Sequence, residues 1–115
     1  LINLVKGQII DYAIDIRIQS KTFGKIFTIR IKDDDNFMLF LPPGVAHGFI
    51  ACDKENIINY KLTEYFNSKN DYGINFFDPR LKIKFPVKRS KLVISKRDLG
   101  FPFFDQVDYK SLKFF

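Results

Sequence analysis

A chain of 115 residues, 46% hydrophobic and 28% charged, has the balance of one globular domain, residues 1–115, rather than that of a disordered segment. The formal charge of +6 is uneven: eight basic residues and one acid stand between Arg80 and Asp98, and the remainder is close to neutral. A single histidine, His47, and a single cysteine, Cys52, exclude a multi-histidine metal site or an internal disulfide within this chain alone; no apolar run approaches the roughly 20 residues of a membrane span.

Fifteen Ile, five Val and nineteen Phe and Tyr, against three Ala and one Met, are strand chemistry. Residues 1–5 read as a strand already under way, which predicts a chain cut from something longer. Ile10, Tyr12, Ile14, Ile16 and Ile18 alternate with Asp11, Ala13, Asp15, Arg17 and Gln19, predicting a strand with one buried face. Turn residues 20–24 follow, and Phe27, Ile29 and Ile31 resume the alternation, a hairpin signal. After the Asp33-Asp34-Asp35-Asn36 turn, a third strand is expected over 37–41, stopped by Pro42-Pro43-Gly44. Two more are expected over 45–52 and 57–66. Beyond Asn67 the pattern loosens into short extended pieces at 72–78 and 82–87, and Ser95 can cap a short helix or turn. The tail from Phe101 to Phe115 has six aromatics and no clean period. Turn signals roughly every 8–12 residues predict an all-β architecture, a single antiparallel barrel of jelly-roll type.

Three features bear on chemistry. In Pro42-Pro43-Gly44-Val45-Ala46-His47-Gly48-Phe49 the turn re-aims the chain, so that His47 falls early on the next strand. A hydrogen-bonded core histidine is one reading and a ligand-contacting residue the other, the latter favoured by glycines that let a ligand approach the backbone. In Tyr60-Lys61-Leu62-Thr63-Glu64-Tyr65-Phe66, Tyr60 is either a packed aromatic or a general acid pointing into the barrel. The basic stretch alternates Lys82 and Lys84 with Ile83 and Phe85, which suits a solvated strand face as well as an anionic partner. It matches no nucleic-acid-binding motif.

Together the segments Gly7-Gln8-Ile9-Ile10-Asp11-Tyr12-Ala13-Ile14-Asp15-Ile16-Arg17, Thr22-Phe23-Gly24-Lys25, Leu41-Pro42-Pro43-Gly44-Val45-Ala46-His47-Gly48-Phe49 and Tyr60-Lys61-Leu62-Thr63-Glu64-Tyr65 resemble the dTDP-4-dehydrorhamnose 3,5-epimerase family, in its order and spacing. Gly73-Ile74, Asp78-Pro79 and Ile94-Ser95-Lys96-Arg97-Asp98 match as well. The resemblance covers nearly the whole chain, corresponds to the carboxy-terminal two-thirds of the family's chain, and implies a cupin-like barrel incomplete at its amino terminus.

The resemblance implies roles residue by residue. Tyr60 matches the proton donor and Asp98 the acid that orients the catalytic histidine base. His47 matches a substrate-contacting histidine. Asp71 and Arg97 fall where other members carry Glu and Lys near the nucleotide sugar, and Phe66 where a Tyr stacks near the thymine. The family's base, in a Gly-Leu-His motif, and its enolate-stabilising Lys would precede Leu1, which implies a partial chain inactive by itself. The implied reaction is epimerisation of a dTDP-4-keto-6-deoxy sugar in dTDP-rhamnose biosynthesis. A C4 ketone acidifies C3 and C5, a base removes a proton, a donor holds the enolate oxygen and an acid reprotonates the opposite face. No metal and no cofactor are implied. The partner is the nucleotide sugar, with no nucleic acid and no membrane; the location is the cytoplasm. Full-length members pair as homodimers by exchanging amino-terminal strand segments that this sequence largely lacks. A single-carbon nucleotide-sugar epimerase and a non-catalytic cupin-like sugar-binding module are the alternatives.

Overall fold

In the computed structural model, which describes residues 1–114, the chain forms two compact units. The first comprises residues 1–66 and the segment after Asp108; the second is Asn67–Asp108.

Five strands build the first unit: β1 (Ile2–Lys6), β2 (Gln8–Asp15), β3 (Ile26–Lys32), β4 (Val45–Ala51) and β5 (Ile57–Tyr60). They form two antiparallel sheets, one of order β3-β2-β4 and one pairing β1 with β5. Gly7, at φ 92°, turns the chain from β1 into β2, where a Cβ would meet the Glu55 carbonyl and the Asn56 side chain. Leu4, Ile9 and Ile31 form the core between the sheets, with Ile29, Leu39, Phe49 and Ile58 packed on them. The pairings show why: Ile9 lies opposite Ile31, Asp11 opposite Ile29 and Phe49, and Leu4 opposite Ile58, so these side chains share the inner faces.

The strand expected from Ile10 to Gln19 is shorter and more buried than its alternation predicts. It ends at Asp15, and from Ile9 to Asp15 every residue is buried, on both faces. As the central strand of its sheet, β2 buries the acids that alternation assigns to solvent. The strand expected over 37–41 is reduced to one bridge between Ile2 and Leu39, because two prolines and Gly44 follow too closely for a longer ladder. The last strand stops at Tyr60 rather than Phe66: its ladder with β1 pairs Tyr60 with Ile2, and one further pair of hydrogen bonds joins Lys61 to Leu1.

The second unit has no strand among its residues. Short 3-10 turns at Ser68–Asn70, Pro79–Leu81, Arg89–Lys91 and Phe104–Gln106, and a single helical turn α1 (Lys96–Leu99), are held by side chains. Buried Asn75 accepts from the Phe77 amide and donates to the Leu99 carbonyl; buried Asp78 accepts from the Arg80 and Phe104 amides. Arg80 lies over the Phe104 ring and Arg89 over Phe77. Ser95 caps α1 as expected, its hydroxyl accepting from the Asp98 amide. Phe115 of the aromatic tail lies outside the described residues.

Candidate active site

The site begins with the turn before β4. Gly44 has φ 82°, and a Cβ there would lie 2.4 Å from Cγ of Arg17; its carbonyl accepts from the Ile16 amide. The Pro42-Pro43-Gly44 turn is thus seated against the end of β2, which sets where β4 starts. His47 then falls opposite Ala13, on the inner face of the three-stranded sheet. The small side chain of Ala13 leaves room for the imidazole to lean toward the next inward residue of β2, Asp11. His47 Nδ1 lies 3.7 Å from Asp11 Oδ2.

Tyr60 comes from the other sheet. It pairs with Ile2 and so shares the strand face of Ile58, which packs on the core, but at the end of the strand it is about half exposed and borders a cleft. The His47 and Tyr60 rings are neighbours, with centroids 6.3 Å apart and planes tilted by 55°. Both line a cleft of about 290 Å³, whose walls include Leu41, Pro42, Val45 and Leu62. Burial pushes the Tyr60 hydroxyl above the ordinary phenol range, and the Asp11 charge pushes the same way. A phenol held in its protonated form has the character of a proton donor.

Asp11 is the residue sequence reasoning missed. Its carboxylate is fully buried, and neither oxygen accepts a hydrogen bond. Alternation assigned it to a solvent face. The signal available was its setting, an acid inside Ile9-Ile10-Asp11-Tyr12-Ala13-Ile14, where a run apolar at both parities marks a strand buried on both sides.

The remaining sequence-selected residues belong to the second unit or to the end of the first unit's main segment. Asp71, Arg97 and Asp98 form their own cluster in the second unit: Arg97 Nη1 donates to Asp71 Oδ2 at 2.6 Å and Nε to Asp98 Oδ1 at 3.0 Å, with the guanidinium over Phe101. Gly73 lets Phe101 come this close, because a Cβ at Gly73 would lie 2.2 Å from that ring. Phe66, at the end of the first unit's main segment, is 70% exposed. Among the described residues, no group of three or more His, Cys, Asp or Glu side chains gathers as a metal ion would require, and no helix is long and apolar enough to cross a membrane.

An antiparallel all-β fold with an imidazole and a phenol on the wall of one cleft defines a protein of the jelly-roll class. Comparison with known proteins narrows the class. Residues 1–106 match the family model of dTDP-4-dehydrorhamnose 3,5-epimerase. The enzyme of that name from Methanothermobacter thermautotrophicus is 38% identical over 99 residues, 85% of this chain and 54% of its own; that of Escherichia coli is 35% identical over 98 residues, 85% and 52%. Among solved structures, dTDP-4-dehydrorhamnose 3,5-epimerase from Bacillus anthracis, with TDP and pyrophosphate bound, superposes with a TM-score of 0.84 at 31% identity, covering 89% of this chain and 57% of that one. The dTDP-6-deoxy-D-glucose-3,5-epimerase of Legionella pneumophila, in complex with dTDP-4-keto-L-rhamnose, gives 0.87 at 27% identity, covering 95% and 57%. The chain belongs to the dTDP-4-dehydrorhamnose 3,5-epimerase family, and it spans about half the length of the curated relatives it matches.

Proposed function

We propose that this chain carries the proton-donor half of an enzyme that epimerises a dTDP-4-keto-6-deoxy sugar at C3 and C5. The observation that carries the reading is that His47 and Tyr60, from different sheets, line one cleft with 6.3 Å between ring centroids, in a chain of this family. Tyr60 returns a proton to the carbon from which one was removed, on the opposite face. His47 contacts the sugar beside the C4 oxygen. Charge that develops on that oxygen as the proton leaves is held by a hydrogen-bond donor, the largest electrostatic contribution such a reaction needs.

Asp98 has the role of orienting a histidine base, and Asp71, Arg97 and Phe66 contact the nucleotide sugar. These assignments rest on motif matches, and the base itself comes from a Gly-Leu-His segment outside these 115 residues. The catalytic domain is a single cupin-like unit working in the cytoplasm as a homodimer, with the nucleotide sugar as its partner and neither nucleic acid nor membrane. That a related structure holds dTDP-4-keto-L-rhamnose supports the choice of substrate.

Solvent deuterium incorporation into the sugar tests the reading, because it reports proton abstraction without net product. The chain alone is expected to show no exchange. Joined to an amino-terminal segment bearing Gly-Leu-His and the enolate-stabilising Lys, it is expected to label both C3 and C5. Label at one carbon only would make it a monoepimerase, and none in the joined chain would leave a sugar-binding module.

A further inference from the structure

A carboxylate with no hydrogen bond in a β-sheet interior is costly, and such a group persists where something else requires it. Asp11 is fully buried with both oxygens unbonded. Of the side chains that face it, Ile29 from β3 and Phe49 from β4 are apolar; the titratable ones are His47 from β4 and Tyr60 from β5. Tyr60 borders the cleft from the other sheet, whereas His47 turns its Nδ1 edge toward Asp11 Oδ2 at 3.7 Å.

An imidazole has two nitrogens, and what one of them bonds decides which carries the proton. A carboxylate can only accept. The geometry points to Asp11 as the positioning residue of His47, drawing the ring proton to Nδ1 and thereby presenting Nε2 to the cleft. This assignment rests on the proposed reading of the cleft and deepens it. In the neutral ring, Nε2 offers a lone pair to a sugar hydroxyl. In the protonated ring, Nε2–H donates to the ketone oxygen while Nδ1–H stays on Asp11. The contraction from 3.7 Å to hydrogen-bond reach needs only a small rotation of a side chain whose neighbour across the strand is Ala13.

The chain has one histidine, so its imidazole nitrogens are read without ambiguity in a long-range proton–nitrogen NMR spectrum of the full 115-residue chain. At about pH 8, where an ordinary imidazole is neutral, the Nδ1–H tautomer is expected for roughly nine-tenths of the wild-type molecules. In Asp11→Asn, whose amide can turn an NH₂ toward the ring, that population is expected to fall to about half or less. Asp11→Glu, which keeps an acceptor, is expected to retain a clear Nδ1–H majority. A wild-type ring protonated on Nε2, or an unchanged tautomer in folded Asp11→Asn, would overturn the assignment. Should Asp11→Asn fail to fold, the wild-type spectrum decides alone. The measurement needs no turnover, so its failure is distinguishable from failure of the deuterium assay.

Discussion

Two aspartates four residues apart on one strand face have opposite surroundings. Asp15, at the end of β2, receives five hydrogen bonds: from the amide, Nε and Nη2 of Arg17, and from the hydroxyls of Ser20 and Thr22. Asp11, mid-strand, receives none. The Arg17 hydrogen bond, helped by Ser20 and Thr22 and opposed by burial, holds the Asp15 carboxyl well below the usual carboxylate range. Asp15 therefore builds the turn between β2 and β3, and its energy is local and structural. Asp11 stands buried behind His47, where an unsatisfied carboxylate is tolerated because it orients a partner. Buried polar groups divide by what they touch, not by residue type.

The sharpest contrast is between the cleft and the turn in activity. Tyr60→Phe in an exchange-competent form of the protein is expected to lower formation of the epimerised product about 10²–10⁴-fold, the usual worth of a positioned general acid, while deuterium incorporation, which reports abstraction alone, falls less. Because the side chain is 46% exposed, its unfolding midpoint in urea is expected to stay nearly constant. A loss of stability that matched the loss of rate would make Tyr60 a packing residue.

Asp15→Asn reads the other side. Removing a charge that accepts five hydrogen bonds is expected to cost about 1–3 kcal/mol in denaturant unfolding at neutral pH. The sign of the pH dependence follows from the depressed carboxyl. Above about pH 4, the ordinary aspartate value, the contribution of Asp15 is fully present; as pH falls further the unfolded chain takes up the proton first, and stability declines. The variant is expected to lose that part of the acid slope, and a slope equal to wild type would show that Asp15 does not carry it.

Asp11→Asn is expected to do the reverse, leaving stability within about 1 kcal/mol of wild type or raising it, because an uncompensated buried charge disappears. A loss as large as that of Asp15→Asn would erase the contrast. The smallest effect belongs to a charge pair on the exposed rim. Lys6 and Glu55 meet at 2.7 Å with both side chains more than half exposed, and Lys6→Ala is expected to change stability by no more than about 0.5 kcal/mol.

Much of the first unit was legible in the sequence. Alternation located β2 and β3, the Pro42-Pro43-Gly44 turn located the start of β4, and Tyr60 was placed on a strand with an inward parity. The errors in strand length have a tertiary source. A strand ends where its ladder gives way, so β2 stops at Asp15, whose carboxylate is taken up by Arg17, Ser20 and Thr22 of the following turn, although the alternation runs on to Gln19. The second unit was less legible, because its 3-10 turns are held by long-range side-chain bonds, such as Asn75 to Leu99 and Asp78 to Phe104, that leave no periodic trace.

Motif order and residue type along the chain, by themselves, determined the family, the all-β class and the candidates His47 and Tyr60, since alternation and turn chemistry are local properties. Tertiary structure alone decided that those two rings line one cleft and that Asp11 stands buried behind one of them. The physical reason is that burial of a strand's second face depends on what packs there, which no period along the chain records.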